Sequence, residues 1–196
     1  GGAGLVGSQI VREIARELEP ERIVVASLYR GEVREFLRDA RREFCNVEFI
    51  GAWGDVFVRD EFMEENRRRL MSTRARRDSL YHDLFGGLDD AYARSGLAQL
   101  IRRYRPNVVV DCINTATAIS YQDVDSLGKQ AHDLLERLTQ LVDHQDLTAL
   151  SDLGRELEQN VSSLLISQSL PQLIRHVQII HRAMSEVGTR LYLKIG

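Results

Sequence analysis

The chain begins with a glycine-rich run whose spacing suits the binding of a pyrophosphate. The run reads Gly1-Gly2-Ala3-Gly4-Leu5-Val6-Gly7-Ser8. In a βαβ unit, such glycines form a tight turn and let the backbone approach a pyrophosphate, while the next helix directs its unpaired amides at the phosphates. We therefore assign Gly1, Gly4 and Gly7 to the turn and expect the amides of Leu5 and Val6 to face a dinucleotide. A plain tight turn with close helix packing is the alternative.

No β-strand precedes this turn, and the chain has no starting methionine. In nucleotide-binding folds a strand delivers the chain into the turn. We therefore expect that the sequence is a piece of a longer protein and begins inside its own cofactor motif.

Helical and strand-like segments alternate along the chain, which predicts an α/β fold. Four apolar runs are typical of buried parallel strands: residues 23–26, 47–50, 108–113 and 190–195. Helical spacing predicts helices over about residues 10–18, 32–43, 91–104 and 170–187. We predict a Rossmann-like, doubly wound parallel sheet of order 3-2-1-4-5 that lacks its first strand, so that the strands at Ile23 and Val108 flank a vacancy.

Two inserts interrupt this alternation within a single domain that spans residues 1–196. Residues 58–90 are rich in both arginine and acid, which indicates solvated helix and loop rather than a nucleic-acid patch, because stacking aromatics are not interleaved. Residues 125–165 carry leucines at helical spacing and predict two amphipathic helices with a break near residues 144–146. This helical insert either packs within its own domain or contacts another subunit in a homo-oligomer.

Composition excludes several classes of partner. The net charge of -3 gives no general attraction to nucleic acid or to a membrane surface, and no run reaches the roughly 20 apolar residues of a membrane span. Cys45 and Cys112 lie in separate apolar runs, which favours a reduced, cytoplasmic protein with buried thiols. The five histidines lack metal-ligand spacing, so we assign no metal.

The tip of the second expected strand decides between the two nicotinamide cofactors. It reads Val24-Val25-Ala26-Ser27-Leu28-Tyr29-Arg30, without the carboxylate that usually accepts from the ribose hydroxyls of NAD. Ser27 can donate a hydrogen bond to a 2′-phosphate, and Arg30 can pair with it in a bidentate manner. The sequence therefore favours NADP over NAD, with a simple surface charge as the alternative for Arg30.

Further segments follow the glycine run in a familiar order. They are Gly54-Asp55-Val56, then Arg105-Pro106-Asn107-Val108-Val109-Val110-Asp111 leading into Asn114-Thr115-Ala116, and finally residues 179–193. Outside the two inserts, the chain resembles the extended short-chain dehydrogenases/reductases, the NAD(P)-dependent epimerase/dehydratase group.

This resemblance implies roles for the residues after the expected strands. Asp55 would accept from the adenine amino group with Val56 beside the ring, whereas a helix N-cap is the alternative for Asp55. Asn114, Thr115 and Ala116 would line the ribose and nicotinamide side, unless they are ordinary polar loop residues.

The resemblance also implies a reaction on a small-molecule substrate. The family uses a tyrosine four residues before a lysine, but no tyrosine here has that partner, and the only lysines are Lys129 and Lys194. We therefore expect the catalytic residues beyond residue 196 and expect this piece alone to be inactive. The whole protein would be an NAD(P)-dependent oxidoreductase, epimerase or dehydratase that acts on a sugar nucleotide or another carbonyl or hydroxyl compound. A non-catalytic NAD(P)-sensing protein and an interaction module that uses the helical insert are the alternatives.

Overall fold

The computed structural model describes residues 1–113, 121–144 and 147–195, and it divides into two compact units. Unit 1 comprises Gly1–Glu65, Tyr92–Asn114 and His176–Gly196, and unit 2 comprises Asn66–Ala91 and Thr115–Arg175. Each unit is therefore built from segments that are distant in the sequence.

Four short strands form two parallel ladders in unit 1. They are β1 (Arg22–Ser27), β2 (Glu48–Trp53), β3 (Val108–Asp111) and β4 (Leu191–Lys194). β1 pairs with β2, with Ser27 opposite Trp53, and β3 pairs with β4, with Asp111 opposite Lys194. Among the described residues these ladders are two separate two-stranded sheets.

The predicted doubly wound, Rossmann-like sheet is wrong. Helices make up 66% of the structure, and the strands of the described residues form no multi-stranded sheet. β1 and β3 each have one strand partner, and a parallel sheet extends only where both edges of a strand are paired. Apolar runs located the strand segments, but they could not show whether a further strand would join the two ladders.

Nine α-helices account for most of the described residues. They are α1 (Leu5–Leu18), α2 (Arg30–Glu43), α3 (Arg67–Met71), α4 (Arg74–Phe85), α5 (Leu88–Arg94), α6 (Gly96–Tyr104), α7 (Tyr121–His144), α8 (Leu147–Ile166) and α9 (Ser169–Val187). A single 3-10 turn at Asp60–Phe62 precedes α3. None of the described helices is both long enough and apolar enough to cross a bilayer.

The helix predicted over residues 91–104 is interrupted in the structure. Ser95 separates α5 from α6, and its hydroxyl oxygen accepts a hydrogen bond from the Ala98 amide at 3.3 Å. The Ser95 backbone also bridges to Arg59. The apolar periodicity continues across this break, but α5 ends at Arg94 and Ser95 is the N-cap at which α6 begins.

The core of unit 1 lies between α2 and the first ladder. Val33 on α2 is fully buried, and Val25 on β1 and Phe49 on β2 are nearly so. Gly51 allows the helix to approach the sheet, because a Cβ at this position would lie 2.8 Å from side-chain atoms of both Val33 and Leu37. Burial of these apolar side chains is the main stabilising contribution of this layer.

A tyrosine clamp ties α5, α6 and α9 together within unit 1. Tyr92 is 2% exposed, and the guanidinium carbons of Arg102 and Arg182 lie 4.3 and 4.4 Å from its ring centroid. Its hydroxyl donates to Glu186, which also accepts from Arg102 at 3.1 Å. Cation–π contacts and charge-assisted hydrogen bonds therefore share one aromatic ring.

Unit 2 is helical, and its helices bury their apolar faces on one another. Leu134 on α7 and Leu153 on α8 are buried. The charged stretch is not wholly solvated, because Arg77 on α4 is 4% exposed. Its guanidinium donates to the Met71 carbonyl at 3.1 Å and lies 3.5 Å from a Glu158 carboxylate oxygen. These contacts explain how a buried arginine is tolerated.

We expect Leu37→Ala to lower the free energy of unfolding by about 2–5 kcal/mol, because the side chain is 6% exposed and its removal leaves a cavity. Leu18→Ala is the matched control: it makes the same change on another helix of unit 1, where the side chain is 72% exposed, and should shift the value by about 0.5 kcal/mol or less. Urea unfolding followed by circular dichroism measures both. Equal effects of the two substitutions would contradict the assigned core.

Candidate functional site

The glycine turn lies between the ends of β1 and β3. The Gly2 amide donates to the Ala26 carbonyl of β1 at 2.8 Å, and the terminal amino group of Gly1 donates to the same oxygen at 3.0 Å. A Cβ at Gly1 would lie 2.8 Å from the Cys112 carbonyl oxygen and 3.3 Å from the Ile113 nitrogen, just after β3. The turn is therefore flanked by the carboxyl ends of β1 and β3, one strand from each ladder.

The third glycine allows α1 to pack directly on this turn. A Cβ at Gly7 would lie 2.1 Å from the Gly1 carbonyl oxygen and 2.8 Å from the Gly2 Cα, so no other residue fits without displacing the backbone. In the described chain, no side chain caps α1 at Gly4, and the first turn of the helix contains no acidic residue. Leu5, at the start of the helix, is 87% exposed. The amide end of the α1 dipole is thus accessible beside the turn.

The two residues predicted to meet a 2′-phosphate differ in accessibility. Ser27 is 8% exposed, and its carbonyl accepts a hydrogen bond from the Gly54 amide at 3.1 Å. Arg30 is exposed at the start of α2, and its guanidinium carbon lies 4.7 Å from the Trp53 ring centroid. Arg30 is therefore the group at this tip that can reach a ligand.

Asp55 closes a local turn directly after β2. Its amide donates to the Met63 carbonyl at 2.7 Å, and its Oδ1 accepts from the Phe57 amide at 2.9 Å. The preceding Gly54 has a φ of 114°, in the region that favours glycine. The carboxylate stabilises its own turn, while Val56 beside it is half-buried.

Residues 114–116, predicted to line the nicotinamide side, lie outside the described residues. The described chain that leads to them stops at Ile113, and both polar groups of this residue are held. Its amide donates to Asp111 Oδ1 at 2.8 Å, and its carbonyl accepts from Lys194 Nζ. The exit from β3 is therefore fixed immediately beside the glycine turn.

A buried polar cluster centred on Asp111 was not predicted from the sequence. Asp111 ends β3 and is 7% exposed. Tyr192 Oη donates to its Oδ2 at 2.8 Å, Lys194 Nζ lies 3.5 Å from Oδ1, and His176 Nε2 lies 3.6 Å from Oδ2. Tyr192 and Lys194 are two residues apart on β4 and so share one face of the strand. This Tyr-x-Lys alternation opposite a terminal aspartate was the available sequence signal.

The donors around Asp111 determine its protonation state. Burial raises the pKa of the carboxyl, but the facing His176 ring, the Ile113 amide, the Tyr192 hydroxyl and Lys194 outweigh this effect and hold the pKa well below its usual range. Burial and the hydrogen bond to Asp111 raise the pKa of Tyr192. At neutral pH the Tyr192 hydroxyl therefore remains a donor and is not available as a base.

The cysteines differ from one another. Both are free thiols, and Cys45 is exposed whereas Cys112 is half-buried, so the expectation of two buried thiols is wrong for Cys45. Across the described ranges, no three histidine, cysteine, aspartate or glutamate residues are grouped so that they could hold a metal ion.

Comparison of the chain with protein-family models, with curated proteins and with solved structures finds no match. The resemblance to the short-chain dehydrogenases/reductases therefore stays a prediction from the residues that carry it.

We expect Asp111→Asn to lower the free energy of unfolding by about 3 kcal/mol at pH 7, because it removes a buried charge from among its donors. The folded-state pKa lies below the unfolded value of about 4, so the carboxylate stabilises the protein above that pH and loses its contribution as the pH falls through the folded pKa. The difference between wild type and variant should therefore narrow below about pH 4. Urea unfolding between pH 3 and about pH 7 measures it, and a constant difference would contradict the assignment.

Proposed function

We propose that this chain is the cofactor-binding part of an NAD(P)-dependent oxidoreductase, epimerase or dehydratase and that it binds NADP in preference to NAD. The substrate class is a sugar nucleotide or another carbonyl or hydroxyl compound, and the protein acts in the cytoplasm. The proposal also includes contact between two copies of the protein through the helical insert.

The observation that carries the proposal is the contact between Gly7 and the carbonyl of Gly1. A Cβ 2.1 Å from that oxygen would push α1 away, so glycine is required for the helix end to stand directly against the turn. The same turn is anchored on Ala26 at the end of β1. Uncapped amides beside a turn of this shape are suited to a pyrophosphate, which carries negative charge and several acceptor oxygens.

The preference for NADP rests on Arg30. Its guanidinium stacks over the Trp53 ring at the tip of β1, and among the described residues it forms no ion pair with a carboxylate. A planar, permanently charged donor suits a 2′-phosphate, whereas a carboxylate here would repel it. Ser27 is buried and contributes through its position rather than as an exposed donor.

A non-catalytic NAD(P)-sensing protein is the second candidate. It requires no catalytic base, and Tyr192 offers none within this chain, because its hydroxyl is engaged with Asp111 and its pKa is raised. Such a group is a poor general base at neutral pH. Binding of NADPH by the full-length protein without hydride exchange with any carbonyl compound would support this candidate over the enzyme.

We expect Gly7→Ala to weaken NADPH binding at least about tenfold, because the added methyl displaces α1 from the turn and the amides from the pyrophosphate. Isothermal titration calorimetry measures the affinity. Gly154→Ala in α8 is the control, since a Cβ there meets nothing within 4 Å, and it should leave the affinity unchanged. A folded wild-type chain that binds neither NADPH nor NADH would refute the proposal.

We expect Arg30→Ala to weaken NADPH binding about tenfold and to leave NADH binding unchanged, because the guanidinium pairs only with the 2′-phosphate. Arg42→Ala removes an exposed arginine from the far end of the same helix, about 18 Å away, and should affect neither ligand. Both affinities are measured in the same titrations. An equal loss of affinity for NADPH and NADH would show that Arg30 does not distinguish the two cofactors by the 2′-phosphate.

A further inference from the structure

The Asp111 cluster holds the backbone of Ile113 on both sides of its Cα, and the amide side lies against the glycine turn. Asp111 holds the Ile113 amide, and Lys194 holds the Ile113 carbonyl while lying 3.5 Å from the same carboxylate. Both polar groups of Ile113 are thus bound by side chains that end two paired strands, because Asp111 and Lys194 lie opposite each other in the ladder.

The peptide between Cys112 and Ile113, whose amide Asp111 holds, forms one wall of the turn. A Cβ at Gly1 would lie 3.3 Å from the Ile113 nitrogen and 2.8 Å from the Cys112 carbonyl oxygen, so the two backbones are already as close as a glycine permits. A shift of the β3 exit would therefore change the space on this side of the turn, whereas Ala26 holds the other side.

A dinucleotide bound at this turn must extend in both directions. Its pyrophosphate would lie at the start of α1, and the adenosine half would run toward the end of β1, where Arg30 would bind the 2′-phosphate. The remaining nucleoside would then extend toward the other flank of the turn, which the backbone after β3 forms. There it would meet the backbone that Asp111 and Lys194 hold.

We propose that Asp111 is a positioning residue for the nicotinamide half of the cofactor, through the Ile113 amide that it holds, and that it does not position the adenosine half. This inference rests on the proposed function. It divides the site into two parts. The β3–β4 ladder positions the nicotinamide half of the cofactor, and residues at the tip of β1 contact the adenosine half.

An ionised carboxylate is needed for this role because two hydrogen-bond donors and the Lys194 ammonium group converge on it, with the His176 ring facing them. The Ile113 amide and the Tyr192 hydroxyl donate at 2.8 Å, and Lys194 and His176 lie within 3.6 Å. The His176 ring is itself fixed, since it is buried and packs 4.7 Å from the Phe57 ring. Asparagine has the same shape but one oxygen and no charge, so it cannot accept from both the Ile113 amide and the Tyr192 hydroxyl, and it leaves Lys194 without its carboxylate partner.

The experiment compares two ligands on Asp111→Asn by isothermal titration calorimetry. NADPH has both halves, whereas adenosine 2′,5′-bisphosphate has only the half that would lie toward β1. We expect the affinity for NADPH to fall about tenfold and the affinity for the bisphosphate to stay within about twofold, because only the β3 side is disturbed. A merely structural role would weaken both ligands equally.

Glu186→Gln is the matched control, because Glu186 also accepts from a tyrosine hydroxyl and a cationic side chain in unit 1. It belongs to the tyrosine clamp and should not separate the two ligands. Should Asp111→Asn fail to fold, Lys194→Met decides, since Lys194 is partly exposed and its loss frees the Ile113 carbonyl. That variant should weaken NADPH about threefold and spare the bisphosphate.

The outcomes distinguish this inference from the proposal beneath it. Equal losses for both ligands, or no loss for either, overturn the role of Asp111 and leave the dinucleotide site intact. A folded wild-type chain that binds neither ligand overturns the proposed function and the inference with it.

Discussion

The candidate site depends on a steric constraint at Gly7. Its Cα stands so close to the Gly1 carbonyl that a single methyl group would collide with backbone on two residues. The absence of a side chain at Gly7 therefore lets helix α1 stand against the turn, while hydrogen bonds to the Ala26 carbonyl hold the turn at the end of β1. Close approach of this kind is a reason for which glycine is retained despite its unfavourable backbone entropy.

The second constraint is electrostatic and lies across the turn from the first. Asp111 is buried, which by itself disfavours its charge, yet its donors reverse the balance. A buried carboxylate with satisfied hydrogen bonds fixes geometry more tightly than it stabilises the fold, because desolvation offsets much of the attraction. The glycine turn thus lies between a side held by backbone hydrogen bonds and a side held by a charged cluster.

Local features of this chain could be predicted from its sequence, and long-range features could not. The apolar runs at Ile23 and Val108 lie in strands, and the leucine spacing in residues 125–165 corresponds to α7 and α8. The prediction of a doubly wound sheet was wrong, because an apolar run in the sequence does not show which other strands it will pair with. The Asp111 cluster was missed for the same reason: its members come from β3, β4 and α9, and the sequence shows the Tyr-x-Lys alternation of β4 but not the aspartate that it faces. Ser95 shows the limit at short range, since a single hydroxyl stops a helix that periodicity alone would continue.

The order of the segments in unit 1 has a consequence for how the protein is made. Asp111 and Tyr192 are 81 residues apart, so β3 leaves the ribosome long before the strand with which it pairs. Most of the helical chain of unit 2 is synthesised in that interval and can form its local contacts first. The second ladder can therefore close only after β4 has been synthesised, and until then β3 has no strand partner on either edge.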